Sequence, residues 1–186
     1  MIMPQLVDAF YSTLPSLTNW INTVLEVSKN QAVPVLSLEF PRLNNLLPND
    51  LLARTKVVLV PGQVPIPSFA DMGLPNVGNI SNQHLSGVTY KDTFFINESL
   101  RYAEGLYFHE LVHAIQWEHL GEADFLLTYG ATLYQYGYEN NPFELMAYKY
   151  QNKFDTNSLS PLVVDQIKSE TDFLCKAYKP FLSKEM

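Results

Sequence analysis

The stretch Leu106-Tyr107-Phe108-His109-Glu110-Leu111-Val112-His113-Ala114-Ile115-Gln116-Trp117 decides how this chain is read. It contains H-E-x-x-H, and nearly every position around the polar triplet is apolar. Two histidines four apart on a helix project from one face, one turn apart, so both imidazoles can reach one tetrahedral zinc. Glu110 follows the first histidine and can lie beside a water activated by that metal, as a general base. A helix apolar all round is a buried helix. Two histidines and a carboxylate inside it are costly without partners, and a metal satisfies all three together. The spacing predicts a helix from about Leu100 to Leu120, with Ser99 as N-cap and Gly121 just past its end.

Composition sets the frame for that helix. The chain has 186 residues, 47% hydrophobic and 13% aromatic, enough for one domain with a sizeable core. Its net charge of −7 and pI near 5.0 disfavour nucleic acid and anionic membrane as partners. Met1-Ile2-Met3-Pro4-Gln5 carries no basic n-region, and no run is long enough to span a bilayer. The expectation is therefore a cytoplasmic protein. Cys175 is the only cysteine, which excludes an internal disulfide and a cysteine-based zinc cluster; it reads as a small buried hydrophobe on a late helix.

The expected fold class is α+β, mainly helical, with a small sheet or hairpin packed on the motif helix. Residues 1–55 read as an N-terminal helical segment, 56–153 as the metal-binding core and 154–186 as a C-terminal helix. After Pro15, the spacing of Leu17, Trp20, Ile21, Val24 and Leu25 predicts an amphipathic helix, and Pro34, Pro41 and Pro48 break the next part of the chain into short pieces. Lys56 to Val60 (K-V-V-L-V) reads as a buried strand. A Pro- and Gly-rich stretch from Pro61 to Ser86 reads as a long functional loop. Gly87 to Tyr90 and Thr93 to Ile96 flank Lys91-Asp92 as a hairpin. Glu122 to Tyr136 predicts a helix ended by Gly137. Asn141-Pro142 opens another, and a last helix runs from about Pro161 to Tyr178.

A catalytic zinc usually has three protein ligands, and the motif supplies two. His119 stands where the metzincin pattern H-E-x-x-H-x-x-G-x-x-H puts a third histidine, with Leu145-Met146-Ala147-Tyr148 as a faint Met-turn. The glycine that turns the chain in that pattern is here Gln116. Without that turn the helix carries His119 about 120° round its axis from His113. There it reads as a cation at a helix C-terminus. Glu144, early in the helix opened by Asn141-Pro142, offers a carboxylate instead. Asn141-x-x-Glu144 equally fits a capping box, so residue chemistry alone leaves ligand and cap both open.

The stretches His109 to Trp117, Leu120-Gly121, Gly137 to Glu144 and Ala147-Tyr148 resemble a group of small bacterial zincins akin to the gluzincins, the thermolysin-like branch. Their pattern pairs H-E-L-V-H-x-x-Q with a later N-P-x-E-x-x-A. The hairpin Gly87 to Ile96 also matches the strand pair before their active-site helix. The resemblance covers roughly residues 56–153. It implies a zincin-like fold, a zinc-dependent metallopeptidase, Glu144 as third metal ligand beside His109 and His113, and Glu110 as base. One departure stands out: these proteins often carry an acid two residues after the ligand glutamate, and here that place is Met146.

On that basis Glu110 is expected to take a proton from the attacking water and return it to the leaving amine. Several tyrosines (Tyr129, Tyr134, Tyr136, Tyr138 and Tyr148) could stabilise the oxyanion. Tyr148, one turn after Glu144, is the first candidate, and core packing is its plainer reading. His84 could serve the same role or be an exposed loop histidine. A peptide or protein substrate could pair with the strand Thr93 to Ile96 or with Gly87 to Tyr90, under a lid formed by the Pro61–Ser86 stretch. The alternatives are a non-catalytic metal-binding or interaction domain, hydrolysis of a non-peptide amide or ester, and a metzincin-like site using His119.

Overall fold

The computed structural model describes residues 4–74 and 85–182. Among them are seven α-helices and a small mixed sheet of four strands, an α+β architecture. His84 and the central part of the long loop lie outside the described residues. No described helix is long and apolar enough to cross a membrane.

The sheet is built on the apolar run Lys56–Val60 (β2) and on Thr93–Asn97 (β4), which pair in parallel. Gly87–Tyr90 (β3) adds antiparallel to β4, and the two-residue β1 (Val33–Pro34) adds antiparallel to β2, giving the order β1-β2-β4-β3. Both faces are covered. Val57, Phe94 and Ile96 pack on one side with Phe108, Leu111 and Ile115, while Val58 and Phe95 pack on the other with Ile21, Trp117 and Phe125. Burial on both sides explains why β2 and β4 read as continuous apolar runs rather than alternating ones. The hairpin forms as expected, with Lys91 taking the left-handed conformation at φ 57° in its turn. Of the two strands expected to offer a docking edge, β4 lies inside the sheet, paired on both sides; among the described residues β3 is the edge strand beside the motif helix.

The helices are α1 (Pro4–Ser28), α2 (Pro41–Leu46), α3 (Asn49–Arg54), α4 (Glu104–Leu120), α5 (Glu122–Tyr136), α6 (Pro142–Asp155) and α7 (Val163–Leu182). Three helices have boundaries that differ from expectation. Helix α1 does not begin after Pro15 but runs through it. The face carrying Phe10, Leu14, Leu17 and Ile21 continues across the proline and packs on α5 and the loop, which offsets the roughly 3 kcal/mol cost of an interior proline. Helix α4 begins at Glu104 rather than Leu100. The residues before it form a separate 3₁₀ turn, Glu98–Leu100, capped by the Asn97 side chain accepting from the Ser99 amide, so Ser99 is not the N-cap of the motif helix. The C-terminal helix starts at Val163 instead of Pro161 and extends to Leu182.

Helix α4 is the axis of the fold. Every residue from Tyr107 to Trp117 is buried. It packs most extensively against α6 and also against α7, α5 and β3. Gly121 and Gly137, both at positive φ, end α4 and α5, and the short connections fold α5 and α6 back beside α4.

Candidate metal centre

Three elements bring the site together. Helix α4 supplies His109, Glu110 and His113 from one face. Helix α6 supplies Glu144, and α5 supplies Tyr129. The N-terminus of α6 decides where Glu144 goes. Asn141 Oδ1 accepts from the Phe143 amide at 3.0 Å and from Thr132 Oγ1 at 3.0 Å, and the Asn141 amide, which a capping-box glutamate would accept from, donates instead to the Tyr138 carbonyl at 3.1 Å. The capping-box alternative is thereby excluded, and the Glu144 carboxylate crosses to the two histidines instead.

The donor atoms converge. His109 Nε2 and His113 Nε2 are 3.2 Å apart, His109 Nε2 lies 3.4 Å from Glu144 Oε2, and His113 Nε2 lies 3.3 Å from Glu144 Oε1. All three residues are buried and form a group able to hold a metal ion. Glutamine side chains set the tautomers. His109 Nδ1–H donates to Gln151 Oε1 at 3.1 Å, and His113 Nδ1–H donates to Gln116 Oε1 at 2.8 Å. With Nδ1 protonated, the neutral form of each ring turns an Nε2 lone pair toward the other ring and toward the carboxylate, an arrangement able to receive a cation in place of a proton. Gln116 is itself held by its Nε2 donating to Met146 Sδ at 3.3 Å. Met146 thus anchors the hydrogen-bond partner of His113 through a thioether. Glu144 Oε1 accepts from Tyr129 OH at 2.6 Å, while Oε2 is buried with no hydrogen-bond partner.

The charges respond to this packing. Burial alone would depress the His113 imidazolium and raise the Glu144 carboxyl. Their mutual attraction wins in both cases: His113 is pushed up to about 9 and Glu144 is held well below the usual carboxylate range. Glu110 moves the other way. Burial raises it, and the two histidines and the Thr89 hydroxyl only partly offset that. Thr89 Oγ1 lies 2.7 Å from Glu110 Oε2 and 3.1 Å from the Glu110 carbonyl oxygen.

His119 does not join the cluster. Helix α4 runs straight through Gln116, and His119 pairs at 2.8 Å with Asp172 of α7 near the surface. Tyr148 is half exposed, its ring centroid 4.6 Å from that of His109. Burial and then the Glu144 charge raise its hydroxyl pKa, with the Tyr138 hydroxyl pulling the other way. Tyr136 bonds to Tyr178, and Tyr134 packs edge-on to Phe10. Tyr129 is committed to Glu144. Of the five tyrosines, Tyr138 and Tyr148 face the approach to the site.

Two openings reach the cluster. A cavity of about 110 Å³ lies between α1, the start of the long loop and α5; Phe10, Leu14, Ile66, Phe69 and Leu127 contribute to its apolar wall, and Glu110 and His113 line it too. A second, more polar opening is framed by Ser86, Gly87, Tyr138, Glu139 and Tyr148 and meets His109 and Glu110.

Gln116, Gln151 and Thr89 were not anticipated as parts of the site, and Tyr129, expected among the possible oxyanion donors, bonds to Glu144 instead. Two carried a signal: Gln116 stands three residues after His113, and Glu144, Tyr148 and Gln151 share one face of α6 at i, i+4 and i+7. Thr89 carried none, because its role comes from β3 packing on α4. No family model matches the chain, no curated protein matches it, and no solved structure matches its fold.

Proposed function

We propose that this protein is a zinc-dependent peptidase of the gluzincin type, with His109, His113 and Glu144 holding the metal and Glu110 acting as general base. The observation that carries this reading is the spacing of the donors. The two Nε2 atoms, 3.2 Å apart, match one edge of a tetrahedron with centre-to-corner bonds of about 2.0 Å, and each has a Glu144 oxygen beside it, Oε2 at 3.4 Å from His109 and Oε1 at 3.3 Å from His113. The orphaned Glu144 Oε2 and the two aimed lone pairs fit a borderline-soft divalent ion. When bound, zinc supplies Lewis acidity: it lowers the pKa of a coordinated water toward ~7 and polarises a carbonyl.

The remaining roles fall to the chain's own side chains. Glu110 takes the proton of the attacking water and hands it to the leaving nitrogen as the C–N bond breaks. Its raised pKa suits a group that must accept a proton and give it back. Thr89 steadies Oε2, leaving Oε1 to receive the proton. Tyr148 and Tyr138, at the polar opening, are the donors available to a developing oxyanion. Among the described residues β3 is the edge strand, and its outer backbone groups are the ones an extended peptide would pair with. At about 110 Å³ the apolar cavity is smaller than the ~150 Å³ that holds benzene, so it has room for one aliphatic side chain smaller than a phenyl ring. The motif resemblance to gluzincins supports the same reading.

The test is elemental analysis of the purified protein together with mass-spectrometric mapping of cleavage in a peptide library, run beside Glu110→Gln. Near-stoichiometric zinc and cleavage abolished by the Gln variant are expected. Zinc without any cleavage of the library would leave a metal-binding domain and overturn the peptidase reading.

A further inference from the structure

Strand β3 meets Glu110 at two points that the H-E-x-x-H motif does not encode. The register pairs Gly87 with Ile96 and Thr89 with Phe94. Cross-strand partners share a face, and Phe94 and Ile96 belong to the core packed on α4. Gly87 and Thr89, two apart, therefore point at α4 together. Thr89 Oγ1 reaches Glu110 Oε2 at 2.7 Å. At Gly87 there is no side chain, and the carboxylate fills that space: a Cβ there would lie 2.8 Å from Glu110 Cδ, nearer still to Oε1, and 3.2 Å from Cγ.

We propose that Gly87 and Thr89 are positioning residues that set the orientation of the Glu110 carboxylate, one by yielding space and the other by a hydrogen bond. This rests on Glu110 being the general base of the site. Gly87 is not needed for a special backbone angle, since its φ is not in the positive range. What it supplies is room. The atoms a Cβ would strike belong to the end of a flexible side chain, so the protein can absorb the methyl group by turning the carboxylate aside. The fold then survives, the three metal donors stay in place, and the base is misdirected. A base displaced by about 1 Å is enough to cost on the order of 100-fold in rate.

The experiment compares Gly87→Ala, Thr89→Val and Thr89→Ser with the parent and with Glu110→Gln. Three quantities are read on the zinc-loaded protein: zinc affinity by chelator competition, the ¹³C resonance of the Glu110 carboxyl (assigned by its loss in Glu110→Gln), and kcat and KM on a cleaved peptide. Gly87→Ala and Thr89→Val are expected to shift the Glu110 resonance, to keep zinc affinity within about threefold, and to lower kcat about 100-fold with little change in KM. Thr89→Ser restores the hydroxyl and is expected to return the resonance and most of the rate. An unmoved Glu110 resonance in both Gly87→Ala and Thr89→Val overturns the positioning roles whatever the activity. A resonance that moves in a protein that cleaves nothing, parent included, overturns the peptidase reading and leaves the positioning roles standing. Should Gly87→Ala fail to fold, the Thr89 pair decides alone.

Discussion

Glu110 and Glu144 are equally buried, at 3% exposure each, and belong to one cluster, yet their carboxyl groups are driven in opposite directions. Burial raises both. Glu144 projects from α6 between the two imidazoles, with an oxygen within 3.4 Å of each Nε2, and their attraction overrides the burial. Glu110 projects from α4 toward β3, where it meets a threonine hydroxyl and the bare backbone of Gly87, and burial prevails. The same side chain is held charged in one place and pushed toward its protonated form in the other because different elements pack against it.

That contrast breaks most completely at Glu144. Glu144→Ala is expected to weaken zinc binding by more than about 1,000-fold, read by chelator competition, because it removes one of three ligands and the only negative one. Parent-like affinity in this variant would remove Glu144 from the ligand set. At Glu110 the effect should fall on turnover alone. Glu110→Gln is expected to keep zinc while peptide cleavage drops by about 100- to 10,000-fold. If it cleaves as fast as the parent, Glu110 is not the base. One step further out, Gln116→Ala and Gln151→Ala free the Nδ1 protons and should each lower metal affinity by about 10- to 100-fold, measured by the same titration. No loss in either would mean that the amides do not orient the rings.

A pH series sharpens the contrast in the metal-free protein. His113 sits at about 9 against an ordinary 6.5, so the stability it contributes is fully present below 6.5 and is lost as pH rises through about 9. Glu144 is depressed below 4.5, so its contribution is present above 4.5 and is lost as pH falls below that value. Chelator-treated protein should therefore show a falling Tm from pH 6.5 to 9. Saturating zinc, which binds neutral imidazole, should flatten that fall. A flat metal-free profile would contradict the His113–Glu144 pairing. The smallest effect belongs to His119. His119→Ala is expected to leave zinc affinity unchanged and to cost no more than about 1 kcal/mol of stability by denaturant titration, because its partner Asp172 is half exposed. A loss of zinc here would instead revive the metzincin-like arrangement.

Much of the site's frame is legible from residues alone. Helical spacing puts His109 and His113 on one face, Gln116 denies the chain the turn that His119 would need, and Asn141-Pro142 announces the start of α6. Local rules misread two helix starts. Ser99 looked like a cap, but Asn97 caps a separate turn before α4. Pro15 looked like a boundary, but the apolar face running past it holds α1 together. Glu144 was balanced between ligand and cap on residue chemistry, and the balance tipped because the Asn141 amide donates to the Tyr138 carbonyl, leaving the carboxylate to reach the two histidines.

The sequence by itself determined the helical pair of histidines with its neighbouring glutamate, the buried character of the helix that carries them, and the absence of cysteine ligands, because spacing and residue type act within a few turns of chain. The tertiary structure decided the rest. Packing of α6 on α4 aimed Glu144 and Gln151 at rings more than 30 residues away. Packing of β3 on α4 set Thr89 and the empty space of Gly87 against Glu110. Orientation of a buried side chain is fixed by what touches it, and those neighbours are chosen by the fold.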